Sequence, residues 1–192
     1  MLTWQAADGI GLEGVRVQRA HGGLRALGRL VRSDFTASYR LIVGEDGIVQ
    51  RVSLTSATAA RERHLTLNRS EEGIWLADSG AGSTQPAFAP AVDVDVAYSA
   101  LFNSLPIRRL GLHREAAEQT LPMVFVSLPD LQPQLVEQAY RTVSTLDAAD
   151  RAVIGFRWDD FSADLVVDGE GFVQHYPGIA TLATPMAAPA GS

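Results

Sequence analysis

Five side chains able to do chemistry stand together in one apolar stretch, "VDVDVAYSALFNSLPIRRLGL", residues 92–112: Asp93, Asp95, Asn103, Arg108 and Arg109. Asp93 and Asp95 are two apart, so on a strand they share a face, where two carboxylates repel unless a cation intervenes. Arg108 and Arg109 are adjacent, so on a strand they point to opposite faces and at most one reaches the interior. Two readings follow. In the first, an arginine makes a buried ion pair with Asp93 or Asp95 and fixes how the segment docks, the commoner fate of a buried charge. In the second, the aspartates, Asn103 and the arginines line a cavity and hold the polar head of a ligand. A carboxylate metal site is a more distant third.

Other chemical signatures fall away on context. Gly9, Gly11 and Gly14 spell G-x-G-x-x-G, but a dinucleotide loop needs a helix behind it, and "VRVQR" alternates like a strand. His21, His64, His113 and His175 are scattered singly, without the spacing of a zinc site. "DFSADLVVDGEG" has carboxylates and a glycine turn but not the spacing of a calcium loop. There is no G-x-S-x-G elbow, and no cysteine at all, which removes disulfides and thiolate chemistry. No catalytic residue, cofactor or metal ion is assigned, although many active sites carry no linear signature.

The chain is 46% hydrophobic and 20% charged over 192 residues, the balance of a globular protein large enough for a full core. Its net charge is −6 and all sixteen basic residues are arginine. An acidic chain with scattered arginines argues against nucleic acid as a partner. The opening "MLTWQAADGIGLEG" has no basic start followed by an apolar run, so no secretory signal is expected. No stretch approaches the ~20 apolar residues that cross a bilayer. A soluble, cytoplasmic protein is the expectation.

The elements that must position these residues read mostly as strands. "GVRVQR" alternates with period two, and "HGG" can reverse the chain. "SYRLIVGEDGIVQRVSLT" and "RERHLTLNRSEEGIWLAD" each read as two strands about a turn, which indicates an antiparallel meander. "LRALGRLVR" has some helical periodicity, weakened by Gly28. Residues 79–91 are small and rich in glycine and proline, a loop. "MVFVSL", "AVIGFRW", "FSADLVVD" and "GFVQHY" are strands. Two segments stay open between helix and strand. "QLVEQAYRTVSTL" puts Leu135, Val136, Ala139, Tyr140 and Val143 on one helical face. "VAYSALFNSL" has Asp95 near its start and Pro106 just past its end, the punctuation of a helix. One domain over residues 1–180 is expected, with a disordered tail over 181–192.

The segment "DVDVAYSALFNSLPIRRLGL" resembles the signature of the bacterial glycolipid-binding family, a D-x-D followed by roughly T-P-F-T-N-T-L-P-I-R-R-L. Asn103, Leu105, Pro106, Ile107, Arg108, Arg109 and Leu110 match as they stand. Trp4, "GIWLAD", the Q-x-Y of Gln138 and Tyr140, and "VVDGEGFVQHYPG" agree in order, so the similarity spans roughly residues 2–179. Three features depart from it: "AYSAL" at 97–101 replaces the T-P start, "APAV" precedes the D-x-D, and "IATLA" follows "YPG" where arginines are expected. The resemblance implies a mainly β fold, a spiral β-roll in which a long antiparallel sheet wraps a single α-helix, usually as a homodimer and likened to periplasmic lipoprotein carriers. With one helix inside, "VAYSALFNSL" is the better candidate and "QLVEQAYRTV" becomes a strand.

The resulting expectation is a protein that holds the apolar chain of a glycolipid or lipid in the roll, with its polar head at the mouth. The expected contacts are Asp93, Asp95, Asn103, Arg108, Arg109, Gln138, Tyr140 and Tyr176. Two alternatives stand beside it: a structural, dimeric protein with a filled core, and an enzyme acting on a lipid or sugar with Asp93 and Asp95 as acid and base.

Overall fold

Alternating apolar residues and tight turns build the first half of the chain as a meander. Its strands are β1 (Leu2–Ala6), β2 (Leu12–Ala20), β3 (Gly23–Val31), β4 (Phe35–Val43), β5 (Val49–Thr58), β6 (Glu62–Arg69), β7 (Trp75–Asp78) and β8 (Ser83–Thr84). The second half holds β9 (Asp93–Val96), the helix α1 (Ala100–Leu110), β10 (Glu118–Val126), β11 (Pro133–Ser144), β12 (Arg151–Trp158), β13 (Phe161–Asp168), β14 (Val173–Tyr176) and β15 (Ala180–Leu182). The computed structural model describes residues 1–20 and 22–183, so His21 and the segment 184–192 lie outside the described residues.

Among the described residues the fifteen strands form one open sheet, in the order β8 to β1, then β15 down to β9. The two halves meet where β1 pairs with β15, Trp4 opposite Leu182 and Ala6 opposite Ala180. Thr181 and Leu182, expected in the tail, are strand residues because β1 would otherwise leave a row of unpaired backbone groups on that side. The sheet then curls back on itself. The Val49 N–H donates to the Val92 carbonyl at 3.0 Å, which sets the β9 end of the sheet against β5 while β6, β7 and β8 run past it.

One pairing differs from the rest: β9 and β10 are parallel. Parallel neighbours need a crossover rather than a hairpin, and α1 is that crossover. It lies inside the curl, buried from Ala100 to Ile107. The meander supplies the enclosing face by strict alternation, with Leu24, Ala26 and Leu30 buried on β3 and Phe35, Ala37, Tyr39, Leu41 and Val43 buried on β4. Two indole N–H groups fasten the wall: Trp4 donates to the Val173 carbonyl at 2.7 Å and Trp75 to Ala91 at 3.0 Å.

The architecture is thus mainly β, a long sheet wrapped around a single helix among the described residues. The details of the helix differ from the expectation. Residues 93–96 are strand, so Asp95 is not at its start, and Pro106 lies inside it. Proline has no N–H to give the Phe102 carbonyl, a real local cost. Here the helix is held by its burial rather than by its own propensity, and it ends at Gly111, whose φ of 66° suits glycine. The Leu112 N–H closes the end on the Ile107 carbonyl at 3.1 Å. Arg108 and Arg109 accordingly sit on a helix, about 100° apart, and not on opposite faces of a strand.

Two segments with helical periodicity are strands. "LRALGRLVR" is β3, and "QLVEQAYRTV" lies in β11, paired with β10 on one side and β12 on the other. Backbone partners on both sides outweigh a side-chain period. The apolar residues of β11 are split by parity: Tyr140 points inward, while Leu135 and Val143 are exposed on the outside. No helix is long and apolar enough to cross a membrane among the described residues.

Gly28 shows how closely the wall is fitted. It lies opposite Tyr39 across the β3–β4 ladder, and a Cβ there would overlap the Tyr39 ring. The Gly28→Ala variant is expected to lose about 1–3 kcal/mol, read as a lower urea midpoint with an unchanged slope. An unaffected midpoint would mean that the Tyr39 ring has room to move.

Candidate functional site

Each polar residue of the helix has a partner on the surrounding strands or the turns between them. Glu13 on β2, 2% exposed, reaches the helix N-terminus. Its Oε1 accepts from the Tyr39 hydroxyl at 2.7 Å and the Ser99 hydroxyl at 2.5 Å, and its Oε2 accepts from the Ala100 N–H at 2.9 Å. Ser99 occupies the N-cap position without capping through its own side chain. A carboxylate from another strand does that work instead, at the end where the helix dipole favours negative charge. Burial pushes the Glu13 carboxyl up from its ordinary value, and the hydrogen bonds from Ser99, Tyr39 and Ala100 oppose it.

At the other end, Arg109 meets Asp93, Nη2 to Oδ2 at 2.5 Å, with the aspartate side chain fully buried. Arg108 turns the other way, donating to the Glu170 carbonyl and lying 4.2 Å over the Phe172 ring. In the middle, the Ser104 hydroxyl accepts from the Val173 N–H at 3.0 Å and donates to the Ala100 carbonyl at 3.2 Å.

A cavity of about 320 Å³ opens beside the N-terminal half of α1. Its wall is largely apolar: Val96 from the end of β9, Ala97 and Tyr98 from the turn into α1, Phe125 from β10, Phe156, Trp158 and Phe161 from the β12–β13 hairpin, Tyr176 from the end of β14 and Ile179 from the turn before β15. The rings are packed together, Phe125 on Trp158 at 4.4 Å between centroids and Phe161 on Tyr176 at 6.2 Å. Asp95 and Asn103 also line it. Behind them a hydrogen-bonded chain crosses from helix to sheet. The Asn103 amide donates to the Tyr140 hydroxyl at 3.0 Å, that hydroxyl donates to Gln138 Oε1 at 3.0 Å, and Gln138 Nε2 donates to Asp95 Oδ2 at 2.7 Å.

Burial raises the Asp95 pKa from its ordinary 3.8 to about 6, against the opposing pull of the Gln138 amide and the Val96 N–H. Burial first, and the Asp95 charge second, also raise the phenols of Tyr140 and Tyr176, so both are neutral donors at physiological pH.

The structure divides the eight expected site residues into two groups. Asp95, Asn103, Gln138, Tyr140 and Tyr176 gather at the cavity. Asp93, Arg108 and Arg109 do not line it. Asp93 and Arg109 are occupied with each other at the C-terminal end of α1, and Arg108 is spent on the turn at Glu170. The arginine pair at the C-terminal end of α1 is thus separated from the cavity-lining Asn103 by more than one helical turn. A larger recess, about 540 Å³, lies on the opposite face of β11 from Gln138 and Tyr140, over Gly155. It touches neither the helix nor the polar chain. Among the described residues no group of three or more His, Cys, Asp or Glu is placed to hold a metal ion.

These landmarks can be set beside known proteins. A family model described as "Putative glycolipid-binding" matches residues 1–181. The chain belongs to this glycolipid-binding family. A crystal structure of a DUF1089 family protein from Pseudomonas aeruginosa is similar throughout, with 26% identity and a TM-score of 0.69 over 88% of this chain and 91% of that one. No curated protein matches the chain.

Sequence reasoning missed two parts of the site. Glu13, in "GLEGVRV", shares the face of Val15 and Val17 by period-two alternation, which turns it inward, but nothing local reveals that it meets the N-terminus of a helix. The aromatic wall left a trace. Phe156, Trp158 and Phe161 crowd one hairpin tip, "FRWDDF", where a turn alone needs no such rings. Ile179 occupies the place after "YPG" where the family resemblance implies an arginine, and it makes that wall apolar.

Two measurements probe these groups. Glu13→Ala leaves two buried hydroxyls and a backbone N–H without an acceptor, each a loss of about 1–3 kcal/mol. It should cost at least ~3 kcal/mol in urea unfolding, with Glu13→Gln recovering part of that. A variant as stable as the parent would show that the helix does not depend on this cap. For Asp95 the folded pKa lies above the unfolded one, so the native state holds its proton more tightly. Stability from this group is intact below pH 3.8, falls as pH rises toward 6, and stays low above it. The full difference is about 3 kcal/mol. Asp95→Asn should therefore stabilise the protein more at pH 7.5 than at pH 5, and an advantage that is flat with pH would contradict the raised pKa.

Proposed function

We propose that the protein binds a neutral glycolipid or a related amphiphile in the cavity beside the N-terminus of α1. The observation that carries this reading is a set of buried, mutually oriented polar groups at one end of an otherwise aromatic cavity. Apolar walls with a few placed polar groups are the usual make-up of small-molecule sites. The rings of Phe125 and Trp158 offer flat surfaces to the C–H face of a sugar, and Asp95, Asn103 and Tyr176 offer hydrogen bonds to its hydroxyls. No arginine, lysine or histidine lines the cavity, so an anionic head would be buried there without a partner. The volume is at the low end for a small-molecule site and suits one ring or a short piece of chain. The family description points the same way.

The filled-core alternative requires an interior with no pocket beside the helix, and the cavity speaks against it. The two-carboxylate enzyme loses its second carboxylate, because Asp93 is held by Arg109 and Asp95 stands alone. A spiral β-roll working as a homodimer in the cytoplasm completes the proposal. The exposed Leu135 and Val143 on β11 are the candidate contact residues, and sedimentation at micromolar concentration reads the state directly.

Native mass spectrometry of protein purified without detergent should show a bound amphiphile. A short-chain alkyl glucoside at about 100 times its Kd should raise Tm by about 5–10 °C. Protein that carries nothing, and whose Tm ignores a panel of alkyl glycosides, would remove the proposal.

A further inference from the structure

The cavity is polar where it is deepest and aromatic where it is open. Asn103 and Asp95 are 1% and 7% exposed, and Gln138 and Tyr140 behind them are fully buried. Tyr98 and Phe161, by contrast, are 46% and 40% exposed. A cavity meant to swallow an acyl chain would have the reverse order, with hydrocarbon at the bottom and polar groups at the lip. Burying polar side chains at the inner end is costly unless they are paired, and these are paired with each other through a one-way chain that leaves specific capacity unused. Asp95 accepts one side-chain hydrogen bond, from Gln138, and a carboxylate can accept about four. Asn103 uses its amide N–H on Tyr140, and among the described residues neither its carbonyl oxygen nor the Tyr176 hydroxyl has a protein partner. The unused groups are two acceptors and a hydroxyl, which suits the alternating donors and acceptors of a sugar ring.

Resting on the reading above, we infer that the ligand enters head first: an uncharged, hydroxyl-bearing ring sits against Asp95, Asn103 and Tyr176, and its apolar chain leaves across Tyr98, Trp158 and Phe161. This reverses the orientation in which the chain fills the interior and the head stays at the mouth. Tyr98 belongs to the exit. It holds a left-handed backbone at φ 67°, and Arg32 fastens it by a hydrogen bond to its carbonyl at 3.1 Å and by lying 5.1 Å from its ring centroid. A non-glycine residue keeps such a conformation only when its surroundings enforce it. The enforced turn sets Tyr98 at the lip of the cavity, with its ring packed on Phe35 at 6.0 Å between centroids.

The orientation is read from a series of alkyl β-glucopyranosides, methyl to decyl, titrated below their micelle concentrations and followed by tryptophan fluorescence and calorimetry. Alkanoates and alkyl sulfates of the same lengths run beside them. Head-first binding predicts measurable affinity for the methyl glucoside, a gain over the first few carbons, and then a plateau once the chain has crossed the rim. The anionic series should be at least tenfold weaker. Asp95→Asn should weaken every glucoside by about tenfold or more, independent of chain length, while Tyr98→Ala on the exposed rim should reduce the gain from the chain and spare the methyl glucoside. Affinity that keeps rising about fourfold per methylene to decyl, whatever the head and whether or not Asp95 is present, would overturn the orientation and leave amphiphile binding standing. Failure of all three series to bind would remove both.

Discussion

The structure depends on a short helix being gripped at both ends by buried carboxylates. A segment of eleven residues containing proline, serine and asparagine would not hold a helix in water. Glu13 takes its first N–H and the hydroxyl before it, and Asp93 takes the guanidinium of its last turn. The two acids come from strands β2 and β9, far apart in the sheet order, so they reach one helix only because the sheet curls. Curl, crossover and ion pair are therefore a single constraint. Each grip is also a place where an unpaired charge would be expensive, which makes alternative placements of the helix unfavourable as well as the native one favourable.

The cavity follows from the same geometry. The helix fills most of the curl, buried from Ala100 to Ile107. At its N-terminal half the β9–α1 turn and the β12–β13 hairpin stand apart, and aromatic rings line the gap instead of closing it. Asp95 shows that this arrangement is not optimised for stability. A buried carboxyl whose ionisation is disfavoured lowers the stability of the fold at neutral pH, and an asparagine or leucine would not. Perturbed groups of this kind at the end of a cavity are what binding sites retain. Asp93, two residues away on the same strand, is also buried but neutralised. One strand thus carries a carboxylate paired with an arginine and another that lines the cavity.

The division of labour among the polar residues of residues 92–112 was only partly legible in the sequence. Their types and spacing showed that buried charges had to be paired or used, and both outcomes occur. That Asp93 rather than Asp95 would take the arginine, and that Arg109 rather than Arg108 would give it, depends on the helical phase of residues 100–110 against the register of β9 on β10. A reading that put the arginines on a strand could not reach that answer. Alternation with Val15 and Val17 turns Glu13 inward, but its role was hidden for the same reason: its partners Ser99 and Ala100 are 86 and 87 residues away.

From the sequence itself came the mainly β character, the turns, the family and most of the loop at 79–91, which the two-residue β8 interrupts, because alternation, glycine turns and a short specific motif are local properties of the chain. Tertiary structure alone decided that "QLVEQAYRTV" is a strand, that the helix runs through Pro106 to Gly111, that residues 180–182 join the sheet, and which polar groups face a cavity. Those choices rest on backbone partners and buried contacts supplied by distant segments, and in each case such contacts outweigh the weaker local preference.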